Sequence, residues 1–130
     1  MKRISSYSGD ALISIDDVTT GPDDYQGRHT IIVTITWVNQ SEANEPLSNT
    51  AKLTVTQDGS QLEMNYYTEP PLPQGYENMS FSRSVQPGVL AKATVSYVVE
   101  DPGQPVTVRL SSTYGSNDMV TKKMTPRKVE

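Results

Sequence analysis

The segment that most constrains the fold is 29-HTIIVTITWVN-39, in which apolar and threonine side chains alternate. Four apolar side chains share one face of it: Ile31, Val33, Ile35 and Trp37. A period of two with many β-branched residues predicts a β-strand and disfavours a helix. Trp37 is therefore predicted to fill a core. His29, roughly 26 Å away at the strand entrance by extended geometry, is predicted to be an edge residue outside any site with Trp37.

The same alternation recurs further along the chain. In 88-GVLAKATVSYVVE-100 the predicted inward side chains are Val89, Ala91, Ala93, Val95, Tyr97 and Val99, and in 105-PVTVRLSSTY-114 they are Val106, Val108 and Leu110. Shorter candidate strands are 10–18, 51–57, 61–67, 79–85 and 118–124.

Turn residues separate these runs. Asp58-Gly59 predicts a β-hairpin, and Pro87-Gly88 and 101-DPGQP-105 predict breaks on either side of a long strand. Seven or eight short strands without a helix predict an all-β fold, an antiparallel β-sandwich.

Composition restricts the classes of function. The 130 residues contain no cysteine, which excludes disulfides and thiolate chemistry. Residues 4–121 carry five basic and 14 acidic side chains, a balance of 5 − 14 = −9, so nucleic-acid binding is not expected. No apolar run is long enough to span a membrane, and a leader or lipid anchor is expected only upstream of Met1. We expect a monomer with a flexible segment at 1–9, one domain at 10–124 and a basic tail at 125–130.

One connection, 65-NYYTEPPLPQGYEN-78, is too rich in proline for a central strand. Its aromatic residues on a stiff backbone make it the best candidate binding loop. The predicted ligand-binding residues are Tyr66, Tyr67, Tyr76 and Glu69.

Four aspartates fall within nine positions: Asp16, Asp17, Asp23 and Asp24. Such carboxylates could bind Ca²⁺, although the spacing is not that of an EF-hand and Asp/Gly/Pro clusters are also ordinary turn chemistry. Calcium is the one candidate cofactor.

Catalytic patterns are absent from the sequence. His29 is the single imidazole, and no Gly-x-Ser-x-Gly elbow accompanies it. Glu63, Glu69 and Glu77 could supply a hydrolytic carboxylate pair, but nothing in the sequence brings two of them together. The prediction is a protein that is not an enzyme.

Several motifs together resemble a known family. They are Asp24-Tyr25-x-Gly27 before the long strand, Trp37-x-Asn39-x-Ser41 at its end, the hairpin 57-QDGSQLE-63, and Pro87-Gly88. Over about residues 10–124 the chain resembles an immunoglobulin-like domain of unknown function found in secreted or lipid-anchored proteins of Gram-positive bacteria. The resemblance implies an immunoglobulin-like sandwich at the cell surface or outside the cell, and it implies no catalytic residues.

The functional hypothesis is a non-enzymatic interaction or cell-surface structural module that contacts an unidentified protein or glycan through loop 65–78. Two alternatives stay open. A carbohydrate-binding module would stack Tyr66, Tyr67 and Tyr76 on sugar rings, and a viral or surface-layer structural subunit would assemble through sheet edges.

Overall fold

A computed structural model describes residues 5–7, 11–67, 72–73, 75–112 and 118–128. Within these ranges nine strands form: β1 (Ser5–Tyr7), β2 (Ala11–Gly21), β3 (Thr30–Asn39), β4 (Ala51–Gln57), β5 (Ser60–Gln61), β6 (Met64–Asn65), β7 (Leu90–Val98), β8 (Val106–Ser112) and β9 (Asp118–Met124). Two short 3-10 helices, Leu47–Asn49 and Ser80–Ser82, lie between strands. Within these ranges no helix is long and apolar enough to cross a membrane.

The strands form two sheets that pack on each other. One has the order β1-β2-β3-β7-β6 and the other β5-β4-β8-β9, and every ladder between named strands is antiparallel. The predicted antiparallel β-sandwich is thus confirmed. The strand count exceeds the prediction because the run 61–67 is divided between two short strands and because Ser5–Tyr7 pairs with β2.

The core lies between the sheets. Trp37 is 1% exposed and shares this core with Ile31, Val33 and Ile35, as the alternation predicted. The buried side chains of β8 are also the predicted ones, Val106, Val108 and Leu110. On β7 the buried inward side chains are Ala93, Val95 and Tyr97, and Val99, just past the end of the strand, joins the same core. Val89 is 43% exposed because the strand begins only at Leu90. The prediction for Val89 is wrong.

A β-bulge in β2 reverses the strand's alternation. Ile15 pairs with Ile35 and Asp17 with Thr34, so Asp16 is the extra residue. Before the bulge the core side chains are Ile13 and Ile15, and after it the core side chain is Val18. The bulge therefore lets the apolar side chains on both sides of it reach the same core.

The prediction of a strand at 79–85 is wrong. Met79 adopts a left-handed conformation with φ 66°, and Ser80–Ser82 form a 3-10 helix. The hydroxyl of Ser80 accepts a hydrogen bond from the amide of Thr94 at 2.8 Å and donates to the Thr94 carbonyl at 3.1 Å. One side chain thus takes the place of a backbone partner at the edge of β7.

The Asp58-Gly59 hairpin is confirmed. Both residues have positive φ, 52° and 81°, and they join β4 to β5 through a tight turn. At the other end of the chain, Arg127 forms a parallel bridge with Thr19 and an ion pair with Asp17 at 2.6 Å. Part of the basic segment 125–130 is therefore packed against β2.

Candidate functional site

The predicted binding loop divides its tyrosines between two surfaces. Tyr66 and Tyr67 follow β6 directly, and their exposed fractions are 50% and 9%. Tyr76, at the far end of the loop, is 7% exposed. Glu69 lies outside the described residues.

Tyr67 packs on the outer face of the five-stranded sheet. Together with Ile32 and Tyr76 it forms a small cluster separate from the main core, here called the outer tyrosine cluster. The rings of Tyr67 and Tyr76 meet edge to face, with centroids 4.9 Å apart and planes at 88°. Such a pair adds about 0.5–1.5 kcal/mol beyond burial of its area.

Hydrogen bonds fix the Tyr67 hydroxyl on the sheet. It lies 2.6 Å from Oγ1 of Thr30 and 3.1 Å from Oγ of Ser96. Gly21 makes room for it, because a Cβ at that position would lie 2.2 Å from the hydroxyl oxygen. The geometry gives Tyr67 a structural role.

Tyr76 and its neighbours close the loop. Its hydroxyl donates to Oδ1 of Asn78 at 2.6 Å, and Nδ2 of Asn78 donates to the carbonyl of Tyr67 at 2.8 Å. The amide of Glu77 donates to Oγ1 of Thr94 at 2.9 Å. Burial raises the pKa of Tyr76 to about 12.

A cleft of about 340 Å³ opens between the two sheets, on the side of the loop away from the outer tyrosine cluster. Strand β5 pairs only with Thr56 and Gln57, so no strand of the described residues pairs with the first half of β4 on that side, and this half borders the cleft. Six large side chains define what we call the Met–Tyr cleft: Leu53, Met64, Tyr66, Tyr76, Met79 and Phe81.

The mouth of the Met–Tyr cleft is apolar and exposed. Met64, Tyr66 and Met79 are 45%, 50% and 59% exposed, while Leu53 and Phe81 are half-buried against the core. The hydroxyl of Tyr66 lies 3.0 Å from the sulfur of Met64. Small-molecule pockets of roughly 300–1,000 Å³ are typically apolar with few polar groups, and this cleft is at the lower end of that range.

The sequence predicted two of these residues, Tyr66 and Tyr76. It missed Met64, which the edge position of a short strand beside Tyr66 could have indicated. It also missed Leu53, Met79 and Phe81. No local pattern could have found Met79 and Phe81, because the contact of Ser80 with Thr94 brings their segment to the β7 edge. Leu53 borders the cleft because no described strand pairs with its half of β4 on that side.

The aspartates of the calcium hypothesis have separate partners. Asp16 accepts hydrogen bonds from Ser14 and Thr36, and Asp17 pairs with Arg127. Asp23 lies 3.3 Å from Nδ1 of the exposed His29. Among the residues the structure describes, no three acidic or histidine side chains converge on a metal position. The geometry thus gives the calcium hypothesis no support.

Asp24 holds a turn together. Its carboxylate accepts hydrogen bonds from the amides of Gln26 and Arg28 and from Nε of Arg28, all within 2.9 Å. Desolvation alone would raise the pKa of Asp24, but these hydrogen bonds and the Arg28 charge together lower it. The adjacent Gly27 has φ 79°. This motif is a turn.

Two further motif residues, Asn39 and Gln57, also stabilise loops through side-chain hydrogen bonds. Asn39 is 1% exposed, and its Nδ2 donates to the carbonyls of Ala43 and Val85 at 2.8 and 2.7 Å. Gln57 is 7% exposed, and its Nε2 donates to the Asp101 carbonyl at 2.8 Å. The residues that carry the family resemblance therefore specify the fold and do not line the cleft.

Two of the three carboxylates considered for hydrolysis, Glu63 and Glu77, are engaged in different ion pairs, and Glu69 lies outside the described residues. Glu63 lies 3.5 Å from Arg28, and Glu77 pairs with Arg83. Neither residue lines the Met–Tyr cleft.

Fold and cleft together define a small β-sandwich domain with an apolar cavity at one open side. The chain belongs to the family described as Domain of unknown function (DUF5067), whose model matches residues 5–112. No curated protein matches the sequence.

Two solved structures share the fold. One is described as a "putative lipoprotein" from Staphylococcus aureus subsp. aureus NCTC 8325, with a TM-score of 0.71 and 9% identity over 99% of this chain and 100% of that one. The other is an NMR structure of a protein from Enterococcus faecalis, with a TM-score of 0.61 and 17% identity over 94% and 93% of the two chains.

Proposed function

We propose that this domain is a non-enzymatic binding module at the cell surface and that its contact site is the Met–Tyr cleft. The similar fold of the staphylococcal protein, which is described as a "putative lipoprotein" and matches over the full length of both chains, supports a location at the cell surface. Family membership supports neither a reaction nor a ligand, since the family's function is unknown.

The immunoglobulin-like assignment is part of this proposal, and strand order supports it. The order β2-β3-β7-β6 corresponds to strands A-B-E-D of an immunoglobulin sandwich, and β5-β4-β8-β9 corresponds to C′-C-F-G. Binding residues are commonly carried by loops that a rigid sandwich holds in place, as loop 65–78 does here for Tyr66 and Tyr76. The Met–Tyr cleft lies at one open side.

The observation that carries the proposal is the exposure of three large apolar side chains around one cavity. Met64, Tyr66 and Met79 all lie at the mouth of the cleft and are each 45% exposed or more. An apolar patch around a cavity is a common mark of an interaction site. Methionine side chains also adapt readily to different partners.

The role of loop 65–78 is narrower than the sequence suggested. Tyr67 anchors the loop on the sheet, Tyr66 lines the cleft, and Tyr76 contributes to both regions. The apolar walls disfavour a sugar, which needs many hydrogen-bond partners, so the carbohydrate hypothesis ranks below an apolar ligand. Three of the four edge strands in the described residues, β1, β5 and β6, have only two or three residues, which disfavours assembly through those edges, whereas the fourth, β9, has seven.

A fluorescence titration with Nile red, an uncharged hydrophobic dye, tests the proposal. The wild-type protein should enhance the dye's emission, and Met79→Lys should weaken dye binding by roughly tenfold, because it places a charge at the apolar mouth. Lysine keeps a long side chain, so the left-handed backbone at this position carries the same strain in both proteins.

The matched control is Leu90→Lys. Leu90 is 66% exposed and lies on β7 away from the cleft, so its replacement should leave dye binding unchanged. Absence of binding to the wild type, or equal loss in both variants, would contradict the assignment of the cleft as the contact site.

A further inference from the structure

The charge at the border of the Met–Tyr cleft points to a ligand class. Lys52, on β4, is exposed and is the one charged residue among the described residues that line the cleft. All its large neighbours there are apolar or aromatic. A single cation beside an apolar cavity is complementary to a molecule with one anionic end and one apolar end.

Lys52 is available for such a contact. Within residues 4–121 the basic side chains are Arg28, Lys52, Arg83, Lys92 and Arg109. Arg28 pairs with Asp24, and Arg83 pairs with Glu77. In the part of the chain that the structure describes, Lys52 forms no ion pair.

Because the chain is acidic overall, the binding of an anion in the cleft depends on Lys52. The chain has a net charge of −4, and the span 4–121 has a formal balance of −9, so the overall charge disfavours the binding of an anion. An anionic ligand therefore needs a local cation, and Lys52 supplies it at the border of the apolar cavity.

The size of the cavity limits the apolar part. About 340 Å³ accommodates one aliphatic chain or a small ring system, but not an amphipathic helix or a lipid with two chains. Ser48, Asn65 and Ser82 supply a few polar groups at the walls, and Met64 and Met79 can adjust to chain length.

We propose that the Met–Tyr cleft binds single-chain amphiphiles with an anionic head group, the chain lying between the sheets and the carboxylate or phosphate lying at Lys52. This inference rests on the proposed function, because it assigns the ligand class of the same site.

Competition with bound Nile red tests it, using decanoate, decyl phosphate and decanol below the concentrations at which they form micelles. Both anions should displace the dye about threefold to fivefold more effectively than decanol, the size expected for one partly exposed ion pair. The preference should weaken as ionic strength approaches 1 M, where the Debye length is about 3 Å. The ratio of decanoate to decyl phosphate identifies the preferred head group.

Lys52→Met retains the length of the side chain and removes its charge. It should abolish the preference for anions while decanol still binds, and Lys52→Glu should reverse the preference in favour of decylammonium. Lys92→Met, at an exposed lysine that does not line the cleft, should leave the preference intact.

Equal displacement by decanol and by the anions in the wild type would overturn the proposed ligand class, as would a preference that survives Lys52→Met. Failure of all three alkyl ligands to displace a bound dye would overturn it as well. In each case the dye still binds in a way that Met79→Lys weakens, so the cleft remains the contact site. If the dye itself does not bind, the proposed function fails.

Discussion

On the two sides of loop 65–78, tyrosine residues differ in burial and in the contacts that they make. In the outer tyrosine cluster, Tyr67 is 9% exposed and its hydroxyl has two polar neighbours within 3.1 Å. At the Met–Tyr cleft, Tyr66 is 50% exposed and contacts a methionine sulfur. Adjacent residues in an extended chain point in opposite directions, so one tyrosine anchors the loop and the other is available to a ligand.

The largest expected difference between the two regions is in stability. Tyr67→Ala removes the centre of the outer tyrosine cluster and should lower the free energy of unfolding by about 3–5 kcal/mol. Tyr66→Ala should change it by no more than about 0.5 kcal/mol while weakening Nile red binding. Urea unfolding curves measure both. Similar losses for the two variants would show that the loop does not divide its tyrosines in this way.

The close approach of Gly21 to Tyr67 sharpens the comparison. Gly21→Ala would place a methyl group 2.2 Å from the Tyr67 hydroxyl and 2.8 Å from Oγ1 of Thr30, and it should cost roughly 1–3 kcal/mol. In a Tyr67→Phe background the same change should cost less, because one of the two clashing atoms is gone.

A double-mutant cycle measures this coupling. Gly103→Ala is the matched control, because a Cβ there would meet only the Asp101 carboxylate at 3.4 Å. Strict additivity between Gly21→Ala and Tyr67→Phe would contradict the contact.

Two buried hydroxyls allow a smaller and sharper test. Tyr67→Phe should lower the free energy of unfolding by about 0.5–1.5 kcal/mol, because Thr30 and Ser96 lose a hydrogen-bond partner. The hydroxyl of Tyr97 is buried and has no hydrogen-bond partner among the described residues. Tyr97→Phe should therefore be neutral or stabilising by up to about 1 kcal/mol. Unfolding curves that show a loss for Tyr97→Phe would reveal a partner for this hydroxyl.

The last expected effect is absent at neutral pH and concerns alkaline pH. The pKa of Tyr76 is about 12 in the folded protein, against 10.0 as its ordinary value, because burial disfavours the tyrosinate. Between these values the unfolded chain releases this proton while the folded chain keeps it, so stability falls as pH rises above about 10. Tyr76→Phe should reduce the slope of stability against pH in that range. The control is Tyr25→Phe, which removes the hydroxyl of a side chain that is 90% exposed. Equal slopes of stability against pH for the two variants would contradict the prediction.

Much of the fold could be predicted from the sequence, because its strands have one buried and one open face. On β3 the alternation of Ile31, Val33, Ile35 and Trp37 is strict, and the whole set is buried. The Asp58-Gly59 hairpin was equally readable, since few residue pairs accept two positive φ values. The bulge at Asp16 could not be predicted, because the apolar pattern of β2 allows either face of the strand to be buried until a partner strand sets the register.

The candidate site could be predicted only in part. Sequence composition pointed to the tyrosine loop, but it gave all three tyrosines the same role. Burial separated them, and the contact of Ser80 with Thr94 brought Met79 and Phe81 to the cleft from a segment predicted as a strand. Such a contact joins residues 14 positions apart through a single hydroxyl, and no periodicity records it.

The sequence by itself determined the fold class, the core of β3 and β8, the turns and the acidic balance, because each depends on local backbone preferences or on simple counts. Only the tertiary structure decided where the two sheets leave a cavity, which tyrosine faces it, and that Lys52 borders it. These features depend on where strand edges end relative to one another. That relation is set by packing between segments far apart in the chain, and it leaves no local pattern.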